Sequence, residues 1–180
     1  MKQLKTLIES VENARQAFIA EASDLTYAQI HFKPTPDTWS IIQNVEHIVR
    51  AEQSGVFGLF KAIDGYKRND LVWSGNPIHR GLSIEEVVDK TWQPKEKVPE
   101  IAAPIWGGSL NYWLTLLNAQ TALLKGLGNA LEGLDLEEII FPHPISGPLD
   151  AGQRLDFLRF HLARHQQQVQ NVKAHLDFPK

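Results

Sequence analysis

The sequence predicts an all-α domain, a four-helix bundle with a long crossover between its second and third helices. Three observations carry that prediction. Four long stretches place apolar residues at helical spacing, the segments between them are rich in Pro, Gly and turn residues, and no stretch of any length shows the two-residue alternation of a strand. A chain of 180 residues with 43% hydrophobic content can bury one core without covalent staples, so residues 1–180 are read as a single domain.

The first helix is expected from about residue 2 to residue 22, where Leu4, Leu7, Ile8, Val11, Ala14 and Phe18 recur on one face. Pro34 and Pro36 then forbid continuation. Ser40 and Gln43 have the spacing of a capping box, which opens a second helix with an apolar stripe from Ile41 to Ile63 and an end near Asp64-Gly65. The crossover, residues 66–108, contains a short helix announced by Ser83 and Glu86 and ended before Pro94. A third long helix is expected over about residues 109–131, with Leu110, Trp113, Leu114, Leu117, Leu124 and Leu131 facing inward. Residues 141–152 hold three prolines and two glycines and read as a loop, and the fourth helix should run from near Gln153 to about Leu176.

Composition excludes several functions. With 18 basic and 21 acidic side chains the net charge is −3, which argues against a nucleic-acid partner. The chain has no cysteine, so disulfides, zinc–thiolate knots, iron–sulfur ligation and a cysteine nucleophile are out. Glu9 and Glu12 interrupt the segment where a signal peptide needs an apolar run, giving the expectation of a soluble cytoplasmic protein. The uncharged run from 101 to 124 is long enough to span a bilayer. Pro104, Gly107, Gly108 and several polar residues within it fit a buried core helix better than a membrane segment.

Seven histidines are few enough to take one by one. His31, His79 and His143 fall in expected loops and His175 lies near the C-terminus, so each is expected at the surface. His161 and His165 differ, because i,i+4 spacing puts both on one side of the fourth helix, within or beside its apolar stripe. Imidazoles facing a core need partners, and spacing alone leaves two readings open: a hydrogen-bonded core pair or two metal ligands. A zinc-protease helix carries glutamate directly after its first histidine; Leu162 stands there instead, which disfavours that chemistry. His47 shares a narrow, small and polar face with Asn44, Ala51, Ser54 and Gly58, either as a surface residue or as part of a pocket lining. Trp73 and Trp106, with His79 and Arg80, sit in the crossover, where they either line a substrate pocket or cover the bundle. Trp39 is expected in the core. Lys67-Arg68 reads as a solvated turn, and Gly107-Gly108 lacks the pattern of a phosphate-cradling loop.

Together the motifs resemble a known family. Lys33-Pro34, then Trp39-Ser40 opening a helix, then Glu46-His47 resembles the second-helix signature of the DinB/YfiT-like superfamily. His161-x3-His165-x2-Gln168, approached through His143-Pro144-Ile145-Ser146-Gly147, is similar to that family's closing pattern. The resemblance covers nearly the whole chain. It implies an up-down-down-up four-helix bundle, often a homodimer, holding a divalent ion, commonly zinc or nickel, through three histidines. Carried over, these are His47, His161 and His165, with Gln168 at a matching position that either orients a ligand or packs between helices. Characterised relatives include bacillithiol S-transferases and mycothiol-dependent maleylpyruvate isomerases. The resemblance therefore implies transfer of a low-molecular-weight thiol to an electrophilic small molecule. Metal-assisted hydrolysis and a non-catalytic, stress-associated metal-binding dimer stay open beside it, since an ion with three protein ligands keeps a free position for water or a thiol.

Overall fold

A computed structural model describes residues 2–93 and 96–180. Four long helices dominate it. α1 (Lys2–Ala22), α3 (Ile41–Lys67), α5 (Leu110–Leu131) and α6 (Ala151–Lys173) pack lengthwise around a common core, α1 against α5 and α6, and α3 against the same two. Val11, Phe18, Ile48, Leu59, Leu117, Leu127 and Leu155 are among the fully enclosed side chains. Burial at this scale stabilises each by about 1.5–3 kcal/mol, which is what assembles helices of ordinary intrinsic propensity. Between α1 and α3 the core also encloses an ion pair. Arg15 reaches across to Glu52 and back to Glu12, and both Arg15 and Glu52 are buried. No helix among the described residues is long and apolar enough to cross a membrane.

The expected helix starts are present. Ser40 and Gln43 form their capping box at α3, and Ser83 and Glu86 form theirs at the short α4 (Ile84–Thr91) in the crossover. Pro94, the expected stop of that helix, lies outside the described residues, and the helix ends three residues earlier. α3 runs on past Asp64-Gly65 to Lys67, because the Asp70 N–H closes onto the Gly65 carbonyl (2.8 Å) and Arg68 still bonds back to Asp64.

Three features depart from the sequence expectation. A five-residue helix, α2 (Tyr27–His31), follows α1, capped by a Thr26–Gln29 box; it is too short to show a period. Residues expected to form a loop instead fold as an antiparallel hairpin, β1 (Ile140–His143) and β2 (Gly147–Asp150), with Pro142 opposite Pro148. Neither proline can donate to a ladder. A two-stranded ribbon, being all edge, can accommodate the loss, and the prolines erase any strand signal from the sequence. Finally, α6 starts at Ala151 rather than near Gln153, since Asp150 accepts the Gln153 N–H (2.8 Å) in a further capping box, and it ends at Lys173 rather than Leu176.

An isolated hairpin is marginal in water, so this one must be held by what it packs on. Phe141 of β1 lies flat on α3 at Gly58, where any Cβ would overlap the ring. Leu149 of β2 joins Ile84 and Val87 of α4 and Phe157 of α6 in a second small apolar cluster, partly covered by Trp92 and Phe160. The crossover is thereby fixed to the bundle, assisted by Gln153 Nε2 donating to the His79 and Leu82 carbonyls (2.8 and 3.0 Å). Gly58→Ala should displace Phe141 and cost about 1–3 kcal/mol of unfolding free energy by overpacking. Urea denaturation measures it, and an unchanged midpoint would mean the hairpin does not depend on that contact.

Candidate metal centre

α3 and α6 lie side by side with His47 on one and His161 and His165 on the other. The i,i+4 step on α6 turns both imidazoles toward α3, and the three rings converge. His161 Nε2 stands 3.2 Å from His47 Nε2 and 3.1 Å from His165 Nε2. Nitrogen ligands about 2.05 Å from a tetrahedral zinc ion are separated by about 3.3 Å, which these two separations match, and all three ligand atoms lie within 4.8 Å of one another. His47 and His165 are buried, 5% and 4% exposed, and His161 is half-buried.

Protonation of the rings follows from their other nitrogens. His47 Nδ1 lies 2.8 Å from the Ala102 carbonyl, an acceptor only, so this nitrogen carries the hydrogen and donates. Asn44 Nδ2 donates to the Ser40 carbonyl (3.0 Å), which orients the amide so that Oδ1 faces His165 Nδ1 (2.8 Å). His165 Nδ1 must donate too. In their neutral forms both rings therefore present bare Nε2 lone pairs toward His161, which can satisfy one of them at most. Converging lone pairs repel unless a cation or proton lies among them. Burial holds His47, His161 and His165 below the usual histidine value, and for His161 and His165 the neighbouring imidazoles add to the effect. Protons are thus disfavoured, and a divalent ion fits the donor set.

The histidines line a cavity of about 880 Å³ together with Trp39, Trp92, Phe157 and Arg154. Trp39, expected in the core, is a cavity wall: its ring stacks on His165 (18° between planes) and approaches His47 at 4.8 Å. Gln168, one turn beyond His165, lines the same space without a hydrogen bond to any of the three histidines among the described residues. The two tryptophans expected from the crossover lie elsewhere. Trp106 is 68% exposed, with the Arg50 guanidinium over one face of its ring, and Trp73 folds back beside Gly75; neither lines the cavity.

Several expectations for the remaining histidines are corrected. His79 is buried and donates from Nε2 to the Ser146 carbonyl (2.7 Å), tying crossover to hairpin. His143 belongs to β1 rather than a loop and lines the cavity between Trp92 and Phe157. Its Nδ1 accepts the Ser146 N–H (3.1 Å), and burial, aided by the charge of Arg154, lowers its pKa to about 3. His175 is half-buried against Phe32, and His31 is exposed as expected.

The crossover closes one side of the centre. The 3-10 turn Glu100–Ala102 delivers the carbonyl that binds His47. The preceding residue on α3, Glu46, is buried, and its carboxylate accepts the backbone N–H groups of Trp106 (2.7 Å) and Gly107 (2.9 Å). Of these partners, Asn44 was visible in the sequence as a member of the small polar face that carries His47. The Ala102 carbonyl carries no side-chain signal, and Trp39 was indistinguishable from a core aromatic.

Comparison with known proteins identifies the family and the fold. Residues 10–169 match the family model described as the DinB superfamily, and the chain belongs to that superfamily. No curated protein matches it. A crystal structure of a conserved protein from Enterococcus faecalis is similar in fold, at 17% identity, with 94% of each chain covered and a TM-score of 0.55.

The site makes two predictions. Because burial depresses the three histidines, they stay neutral below pH 6.5. One zinc or nickel ion per chain should be retained from pH 8 to about 6.5 and released only at lower pH. Elemental mass spectrometry on untagged, chelator-free protein measures this; equal occupancy in His161→Ala/His165→Ala would rule out the site. Asn44→Ala frees the His165 ring, and metal affinity should fall about 10–100-fold by competition against a chromophoric chelator.

Proposed function

We propose that this protein is a divalent-metal-dependent enzyme that transfers a low-molecular-weight thiol to an electrophilic small molecule. One observation carries the reading: three imidazole Nε2 atoms, two of them held as bare lone pairs, meet at the wall of a cavity of about 880 Å³. That volume is within the usual range for small-molecule sites. His47, His161 and His165 would hold the ion, and zinc or nickel suits three neutral imidazoles. Such an ion supplies a Lewis-acid position at which a thiol loses its proton more readily.

The chain supplies the rest. Asn44 and the Ala102 carbonyl fix the ring orientations, Trp39, Trp92 and Phe157 give apolar walls, and the absence of cysteine means the sulfur comes from a cosubstrate. Membership in a superfamily with thiol transferases supports the thiol route over hydrolysis.

Within the same proposal, the protein works as a cytoplasmic homodimer and its long helices run up-down-down-up. Contacts climb together along α1 and α6, from Leu7 beside Gly152 to Glu21 beside Lys173, and along α3 and α5, from Val49 with Gln120 to Lys67 with Ala130. They run oppositely along α3 and α6, where Asn44 meets His165 and Gly55 meets Arg154. These pairings support that order of directions.

Metal-loaded protein assayed with several thiols and 1-chloro-2,4-dinitrobenzene should give turnover that is absent from the His47→Ala/His161→Ala/His165→Ala variant. Equal rates in the two would overturn the reading. Turnover of ester or amide substrates without any thiol would replace it with hydrolysis.

A further inference from the structure

The cavity holds a second polar feature that the three-histidine centre does not use. Arg154, on the first turns of α6, is 5% exposed and makes no salt bridge or hydrogen bond among the described residues. Its Nε and Nη1 are sealed from solvent with no partner. The guanidinium lies over the faces of Phe141 (5.4 Å) and Phe157 (5.9 Å), and its Nη2 rests against α3 at Gly55, where a Cβ would come within 3.2 Å. The chain therefore makes room for this group yet, among the described residues, gives it no counter-ion. Burial alone lowers its pKa to about 10, which still leaves it charged at neutral pH.

A buried, unpaired cation costs several kcal/mol and persists where something else pairs with it. The two aromatic faces recover only part of that cost. Arg154 lines the same cavity as the histidines, seven residues before His161, which places its backbone about 10 Å from that of His161 along the helix. The Phe157 ring lies between them, stacked on His161 at 5.4 Å with 23° between planes.

We propose that Arg154 is the recognition site for a carboxylate on the small molecule that reaches the three-histidine centre. A carboxylate supplies the single negative charge that neutralises this group, through a charge-assisted hydrogen bond from Nη2, the guanidinium nitrogen that is not sealed from solvent. The neighbouring aromatic walls accommodate a short apolar body between the carboxylate and the reacting end. The proposal deepens the thiol-transfer reading by naming a chemical class for one of its substrates, and it rests on that reading only for what happens at the far end of the cavity.

The test is binding of 3-phenylpropionate, with its neutral amide as control, measured by calorimetry on the full chain after chelator treatment. Omitting metal keeps carboxylate–metal ligation out of the signal and makes the result independent of the metal and thiol-transfer readings. The acid should bind saturably, and both the amide and the Arg154→Met variant should bind about tenfold more weakly or worse, the loss of a charged hydrogen-bonded pair. Arg154→Met removes an unpaired buried charge while keeping its bulk, so the ligand-free variant should melt no lower than the parent. Equal binding of acid and amide, or unchanged binding in the folded variant, would overturn the assignment. So would inorganic phosphate binding as tightly as the acid. A melting temperature that drops sharply while binding is kept would assign Arg154 a packing role instead. If the carboxylate binds as expected but no thiol transfer is found, only the functional reading fails.

Discussion

Two hydrogen bonds, His47 Nδ1–H to the Ala102 carbonyl and His165 Nδ1–H to the Asn44 amide oxygen, govern the centre of this protein. A neutral imidazole has one hydrogen, so spending it outward on a fixed acceptor strips the inner nitrogen. The surrounding helices then hold the stripped nitrogens within reach of a third. Much of the nearby architecture serves to keep those acceptors in place: the Asn44 amide is oriented by the carbonyl of the capping residue Ser40, and Ala102 is delivered by a turn of the crossover.

The crossover is consequently part of the site rather than a connection between helices. It is attached at its end by the Glu46 carboxylate, in its middle by the α4 cluster on α6, and near its start by His79 and Gln153. Glu46 and His47 are consecutive on α3 and grip segments of crossover only a few residues apart. The functional and the structural residue are thus coupled through the same short stretch of chain. Loss of one attachment would be felt at the other.

The long helices were legible because each buries a face, and a buried face writes its period into the sequence. His161 and His165 were legible as a pair because a single helix sets their spacing, whereas placing His47 beside them required the family resemblance, since no local pattern reports that α3 lies against α6. The hairpin was hidden by its own prolines, and the short α2 by its length. Arg154 could not be singled out among the chain's basic residues, because its significance lies in what surrounds it: two phenylalanine faces, a glycine and no carboxylate. Trp73 and Trp106 drew notice as large aromatics in a connection, but a ring's position depends on how the crossover is pinned, and Glu46 pins it with Trp106 outward.

The acceptor for His47 is a main-chain oxygen, and that has a genetic consequence. Side-chain replacement at residue 102 leaves a carbonyl in place, so an alanine scan or a library of point substitutions would score this position for its packing alone. A family alignment would be equally blind, since any residue that keeps the turn supplies the same atom. Half of the ring orientation in this centre is therefore inherited through backbone shape. It can be lost by a shift of the Glu100–Ala102 turn that changes no residue touching the histidines.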